Sequence, residues 1–105
     1  MARTVAVDVA AAARRDGAIV LDVREPHEYV TGHVPGARML PVDQVPRRVH
    51  ELPRAEPVYV ICQSGNRSAS VCELLERHGF DARSVMGGTS AWVGAGHPVV
   101  PGPRG

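Results

Sequence analysis

The residues best placed to do chemistry are Cys62, Gln63, Ser64, Gly65, Asn66, Arg67 and Ser68, which follow directly on the apolar run Val58-Tyr59-Val60-Ile61. A β-branched, aromatic-containing run reads as a strand, and the polar glycine-bearing stretch after it reads as a loop opening a helix. Gly65 can take positive φ without steric cost, so successive loop amides can curl toward one point, which the Cys62 sulfur is placed to occupy. A free cysteine titrates near 8.5, whereas one at a helix N-terminus falls to about 3.5–7.5, so Cys62 would be largely thiolate at neutral pH. A helix dipole contributes roughly 0.3–1 kcal/mol, ~2 at most, against about 1.36 kcal/mol per pKa unit. Any larger shift requires loop N–H groups bonded to the sulfur itself. The competing reading is a buried core cysteine, the commonest fate of a free thiol; the run of polar residues after Cys62 argues against it.

The elements that must position this loop follow from the rest of the chain. At 105 residues, one domain is expected, over residues 1–98, with 99–105 as a flexible C-terminal tail because of its prolines. Hydrophobic residues at 44% and charged residues at 22% match an ordinary globular protein and give no reason to invoke disorder. A formal net charge of +1 argues against nucleic acid as principal partner. No apolar stretch reaches membrane or signal-peptide length, and two cysteines make no disulfide framework. Neither cysteine belongs to a CxxC pair or a Cys/His cluster, so no metal or cofactor is expected, and the compartment expected is the cytoplasm.

Asp8 is placed to cap a helix over Val9–Arg15 that Gly17 stops. Residues 18–23 form the first expected strand, apolar nearly throughout and therefore buried on both faces, as in the middle of a parallel sheet. Asp22, Arg24 and Glu25 cluster at its C-terminal end, the edge where open α/β sheets place ligand sites. A short helix from Pro26, a turn at Gly32–Gly36, a strand over 37–40 and a helix from Pro41 to about Glu51 follow. The latter presents Val42, Val45, Val49 and Leu52 on its apolar side. After the 58–62 strand, a helix is predicted from Ser68 to His78, then a strand over 82–86 and a short helix after Gly87-Gly88. Alternating strands and helices predict an α/β fold with a mostly parallel sheet of about five strands, flanked by helices on both faces.

Three blocks now stand out together: Leu21-Asp22-Val23-Arg24-Glu25-Pro26-His27-Glu28-Tyr29 with Gly32-His33-Val34-Pro35-Gly36-Ala37, Cys62-Gln63-Ser64-Gly65-Asn66-Arg67-Ser68, and Met86-Gly87-Gly88-Thr89-Ser90-Ala91-Trp92. In this order and spacing the chain resembles a single-domain rhodanese, of the thiosulfate sulfurtransferase family, from about Thr4 to about Pro98. The resemblance implies a rhodanese-like fold and a carrier cysteine, Cys62. The cysteine takes sulfane sulfur from a donor such as thiosulfate and passes it to a thiophilic acceptor, such as cyanide, a thiol or a protein, by a ping-pong mechanism. The partners implied are a small-molecule donor and acceptor, with a sulfur-donating or sulfur-accepting protein as a further class.

Arg67 has two open readings, a clamp for an anionic donor or a structural partner of a nearby carboxylate. Many rhodanese-like loops carry arginine where this chain has Gln63, which removes a positive charge from the rim. Arg24 with Asp22 or Glu28 reads as an ion-pair cluster beneath the site. Cys72 reads as an inward helix residue rather than a resolving thiol, Trp92 as a core or pocket-wall aromatic, and His33 as a residue holding its turn. Two rival functions are a cysteine phosphatase or arsenate reductase, for which the loop from Cys62 to Arg67 is one residue short, and an interaction or sulfur-carrier module with little turnover of free thiosulfate.

Overall fold

The computed structural model describes residues 3–105. Five strands, β1 (Arg3–Val5), β2 (Ile19–Asp22), β3 (Arg38–Met39), β4 (Val58–Ile61) and β5 (Ala82–Val85), form one sheet in the order β1-β5-β4-β2-β3. Every pairing is parallel, so each connection must cross a face of the sheet. The α/β architecture and the parallel five-stranded sheet expected from the apolar runs are thus present.

Alternate residues of the central strands enter two separate cores. Leu21 and Val60 join Val45, Val71, Cys72 and Leu75 on one face. Val20, Tyr59 and Ile61 join Ala10, Tyr29 and Trp92 on the other. This is why β2 and β4 read as continuous apolar runs: each face is covered by helices. The first face holds α3 (Val45–Arg48) and α4 (Asn66–Arg77), and the second holds α1 (Val7–Arg15), α2 (Pro26–Tyr29) and α5 (Gly88–Gly94). The direction of winding reverses between the neighbours β2 and β4, where Asp22 sits opposite Ile61. Open α/β sheets bind ligands at this crevice beyond the strand ends, and Cys62 lies one residue beyond β4.

Several local expectations are corrected. β1 carries no apolar run and lies at the exposed sheet edge, so its pairing with β5 has no signature in residue pattern. α1 starts at Val7 with Ala6 in the capping position, and Asp8 lies in its first turn, with Oδ1 2.7 Å from His97 Nε2. The helix expected over 41–51 breaks into a 3₁₀ turn (Val42–Gln44), the four-residue α3 and a second 3₁₀ turn (Val49–Glu51). Pro46 has no N–H for the Val42 carbonyl and interrupts the ladder there, while the apolar side over Val42, Val45, Val49 and Leu52 still faces the core.

Residues 99–105, expected as a flexible tail, are fastened along the turn after α2. His33 and Val100 exchange backbone hydrogen bonds of 3.0 and 2.8 Å, the Gly102 amide donates to the Val30 carbonyl, and the Arg104 carbonyl lies 3.0 Å from His33 Nε2. Pro101 and Pro103 supply no N–H, and the contacts are made by the residues beside them: the Val100 and Gly102 amides donate, and the Val100 and Arg104 carbonyls face the turn. His33 is fully buried, stacked on Tyr29 at 3.7 Å, with Nδ1 2.9 Å from the Tyr29 carbonyl, and so holds the turn as its sequence position suggested.

Candidate active site

The helix after Cys62 begins at Asn66, two residues earlier than the pattern placed it, because Gly65 adopts φ 108° and turns the chain into the helix at once. Arg67 and Ser68 therefore lie in the first turn of α4, where amides have no intrahelical acceptor and must find another. Two loop amides find the sulfur. The Gly65 N–H donates to Cys62 Sγ at 3.0 Å and the Ser68 N–H at 3.3 Å. The Ser68 hydroxyl oxygen lies 3.4 Å from the same sulfur.

Cys62 is buried, 1% exposed, and burial alone pushes a thiol up. Against it stand the Ser68 hydroxyl and the amides of Ser68, Gly65 and Ser64, which together prevail and hold the Cys62 pKa below its ordinary value. The sulfur is therefore buried among donors as well as among aliphatic groups, and its surroundings favour the anionic form more than those of an ordinary thiol do. Cys72 is the contrasting case. Sealed in the same core, it has its thiol pushed up to about 12, first by burial and then by the nearby negative charge of Glu76 and Cys62. It stays an inert thiol.

The loop is aimed from behind by α5. The Cys62 carbonyl accepts from the Thr89 N–H (2.8 Å) and the Thr89 hydroxyl (3.0 Å), and the Gln63 carbonyl accepts from the Ser90 N–H (3.1 Å). With these carbonyls drawn outward, the peptide N–H groups that follow can turn inward. The fit needs Gly88, at φ 61°, because a Cβ there would stand 2.5 Å from the Cys62 carbonyl oxygen.

Around the loop the charges are paired. Arg24, 2% exposed, bonds the fully buried Asp22 through Nε and Nη2, and its remaining donors reach the Gly32 carbonyl and Gln63 Oε1. Gln63 in turn donates from Nε2 to Ser90 Oγ at 2.9 Å, so its side chain bridges the buried ion pair to α5. Arg67 makes a two-point ion pair with Glu28, Nη1 to Oε1 at 2.7 Å and Nη2 to Oε2 at 2.9 Å. That bonding, more than any other influence, holds the Glu28 carboxyl down to about 2. Ser64 and Asn66 are exposed on the loop's outer rim. A cleft of about 420 Å³ borders the loop at Gln63, lined among others by Thr31, Ser90, Val93 and Val99.

Of the loop residues expected to act together, Gly65 and Ser68 meet the Cys62 sulfur, Gln63 and Arg67 have their side chains engaged by Arg24 and Glu28, and Ser64 and Asn66 are exposed on the rim. Sequence reasoning missed the roles of two residues and gave a third the wrong partner. Ser84, buried in β5, places its hydroxyl 2.7 Å from that of Ser68. Thr89 grips the Cys62 carbonyl, and Glu28, read as a partner for Arg24, takes Arg67 while Asp22 takes Arg24. The hydroxyl at Ser84, on the same face of the strand as Ala82, was the only signal for the first; buried polar side chains need a partner.

A parallel α/β sheet that presents a cysteine at its switch point, inside a loop of inward amides, defines the class as an α/β domain with an anion-stabilising cysteine loop. The family model for the rhodanese-like domain matches residues 6–95. A sulfurtransferase of Allochromatium vinosum is 35% identical over 83 residues, covering 78% of each chain. Thiosulfate sulfurtransferase GlpE of Pseudomonas putida is 36% identical over 80 residues, 75% of this chain and 73% of GlpE. Among solved structures, a rhodanese-related protein from Thermoplasma volcanium superposes with a TM-score of 0.86 at 33% identity, over 93% of this chain and 97% of that one. The chain belongs to the rhodanese-like domain family.

Proposed function

We propose that the protein is a sulfurtransferase in which Cys62 carries sulfane sulfur as a persulfide. The single observation that carries this reading is the convergence of the Gly65 and Ser68 amides on Cys62 Sγ. A thiolate held this way needs no histidine base. It attacks the outer sulfur of a donor such as thiosulfate, the S–S bond of the donor breaks, and sulfite leaves with the electron pair. A thiophilic acceptor, cyanide, a thiol or a partner protein, then attacks the terminal sulfur and restores the thiolate. At both steps the negative charge stays on sulfur within reach of the same amides, the logic of an oxyanion hole applied to a larger atom. Gln63, Ser64, Gly65, Asn66, Arg67 and Ser68 form the substrate-facing loop.

Against phosphate-ester chemistry, Arg67 is spent on Glu28 and leaves no guanidinium over the loop for a phosphoryl group. Both cysteines are free thiols, which supports a reducing compartment and, with it, the cytoplasm. Among the described residues no helix is long and apolar enough to cross a membrane.

Mass spectrometry after treatment with thiosulfate is expected to find one added sulfur on the Cys62 peptide, and thiosulfate with cyanide to yield thiocyanate. Cys62→Ser abolishes both, and Cys72→Ser neither. Sulfur appearing on Cys72 alone, or turnover that survives Cys62→Ser, rejects the assignment.

A further inference from the structure

The loop of this protein is surrounded by cations that are already neutralised. Arg24 is bound to Asp22, and its outward Nη1 is capped by the neutral amide of Gln63. Arg67 is bound to Glu28 at both of its terminal nitrogens. Glu28 is itself held in place, because Oε1 also accepts from the Glu25 backbone N–H at 3.0 Å, so the carboxylate is fixed at the N-terminal turn of α2. The cleft beside the loop is lined by hydroxyls, the Gln63 amide, the aliphatic side chains of Val93 and Val99, and Arg24, whose charge is already paired with Asp22. A thiolate at Cys62 adds a negative charge to a rim whose two cations are each already paired.

Thiosulfate brings two negative charges to that thiolate, and an unpaired guanidinium is the group that would lower the repulsion. An organic persulfide, RSSH, brings no more than a single charge at the reacting sulfur and a carbon chain that Val93 and Val99 on the cleft wall can hold. We propose that Glu28, by occupying Arg67, sets the donor preference of the site toward organic persulfides and away from thiosulfate. The inference rests on the Cys62 carrier reading and adds the donor class to it. In the favoured half-reaction the Cys62 thiolate forms an S–S bond to the outer sulfur of RSSH, and the bond from that sulfur to the thiol sulfur breaks. The electron pair leaves on RS⁻, which takes up the proton released when the outer sulfur becomes the Cys62 persulfide anion. The products are Cys62–S–S⁻ and RSH, and no oxidant or reductant is consumed.

The test is the second-order rate of sulfur loading onto Cys62, followed by quenched mass spectrometry without an acceptor, with thiosulfate and with cysteine persulfide as donors. The native protein is expected to load at least tenfold faster from the persulfide. Glu28→Gln keeps an oxygen for the Glu25 amide while releasing Arg67. It is expected to raise the thiosulfate-to-persulfide rate ratio at least fivefold, with a gain that shrinks as salt screens the freed charge and disappears in Glu28→Gln/Arg67→Gln. An unchanged or lowered ratio in Glu28→Gln overturns the proposal. So does native loading from thiosulfate at parity with the persulfide, a result that does not depend on any variant folding. Loading from neither donor would reject the carrier reading itself, whereas loading from both in the wrong ratio rejects the role of Glu28 alone.

Discussion

The hydroxyl oxygens of Ser68 and Ser84 lie 2.7 Å apart, and the Ser68 oxygen also stands 3.4 Å from Cys62 Sγ and 3.1 Å from the Gly65 carbonyl. Ser68 has one hydroxyl proton and three neighbours that could receive it. When Ser84 donates to Ser68 it withdraws from that competition, and the Ser68 proton is free to turn toward a thiolate. In the neutral state the S–H donates to Ser68 and the Ser68 proton goes to the Gly65 carbonyl; ionisation swings it back to sulfur. With Ser84 as the donor, the Ser68 oxygen stays satisfied in both states.

Ser84→Ala therefore removes support for the ionised sulfur without touching it. A net hydrogen bond is worth about 0.5–1.5 kcal/mol and a pKa unit about 1.36 kcal/mol, so the Cys62 midpoint should rise by roughly half a unit to one unit. Losing a group that favours the anion leaves less thiolate below the midpoint. Loading at neutral pH falls and recovers in alkali. The ultraviolet absorbance of the thiolate, followed against pH, measures the midpoint directly, and a midpoint that does not move refutes the relay.

Arg24 and Asp22 form a buried pair, 2% and 0% exposed at their side chains. Removing one member of such a pair strands the other charge, at a cost of about 3–5 kcal/mol. Arg24→Met should lower stability to urea by that order and also release Gln63 from its bridge. Replacing both partners, as in Asp22→Asn/Arg24→Met, should recover part of the loss. Equal melts for the native protein and Arg24→Met would show that the pair contributes nothing.

Gly88→Ala introduces a Cβ 2.5 Å from the Cys62 carbonyl oxygen and 2.6 Å from the Gln63 carbonyl carbon, at a φ of 61° that non-glycine residues rarely adopt. The loop has to move, and its amides move with it. Loading of Cys62 should fall at least tenfold, with a stability loss of at least about 1 kcal/mol from the backbone strain. Native loading rates in this variant would mean that α5 does not aim the loop.

What could be read before any coordinates was whatever depends on near neighbours in the chain. The two-faced burial of β2 and β4 is written in consecutive apolar residues, and the cysteine loop in a strand end followed by glycine and a helix start. β1 has no such record, because its existence depends on the edge that β5 offers to Arg3, Thr4 and Val5. Arg67 allowed two readings because its partner stands on α2, 39 residues away. Ser84 and Thr89 act on the loop entirely through tertiary contact, and neither residue type is unusual where it occurs. The attachment of the tail was hidden for a related reason: its prolines advertise missing donors, while the contacts are made by Val100, Gly102 and Arg104 beside them.

Cys62 is 1% exposed, and on the carrier reading proposed above this would change what its cargo experiences. A persulfide at the surface is open at both of its sulfurs to peroxide and to any passing thiol. Here the sulfur joined to the chain is screened by protein, so attack would have to come on the outer atom, the one that is to be handed on.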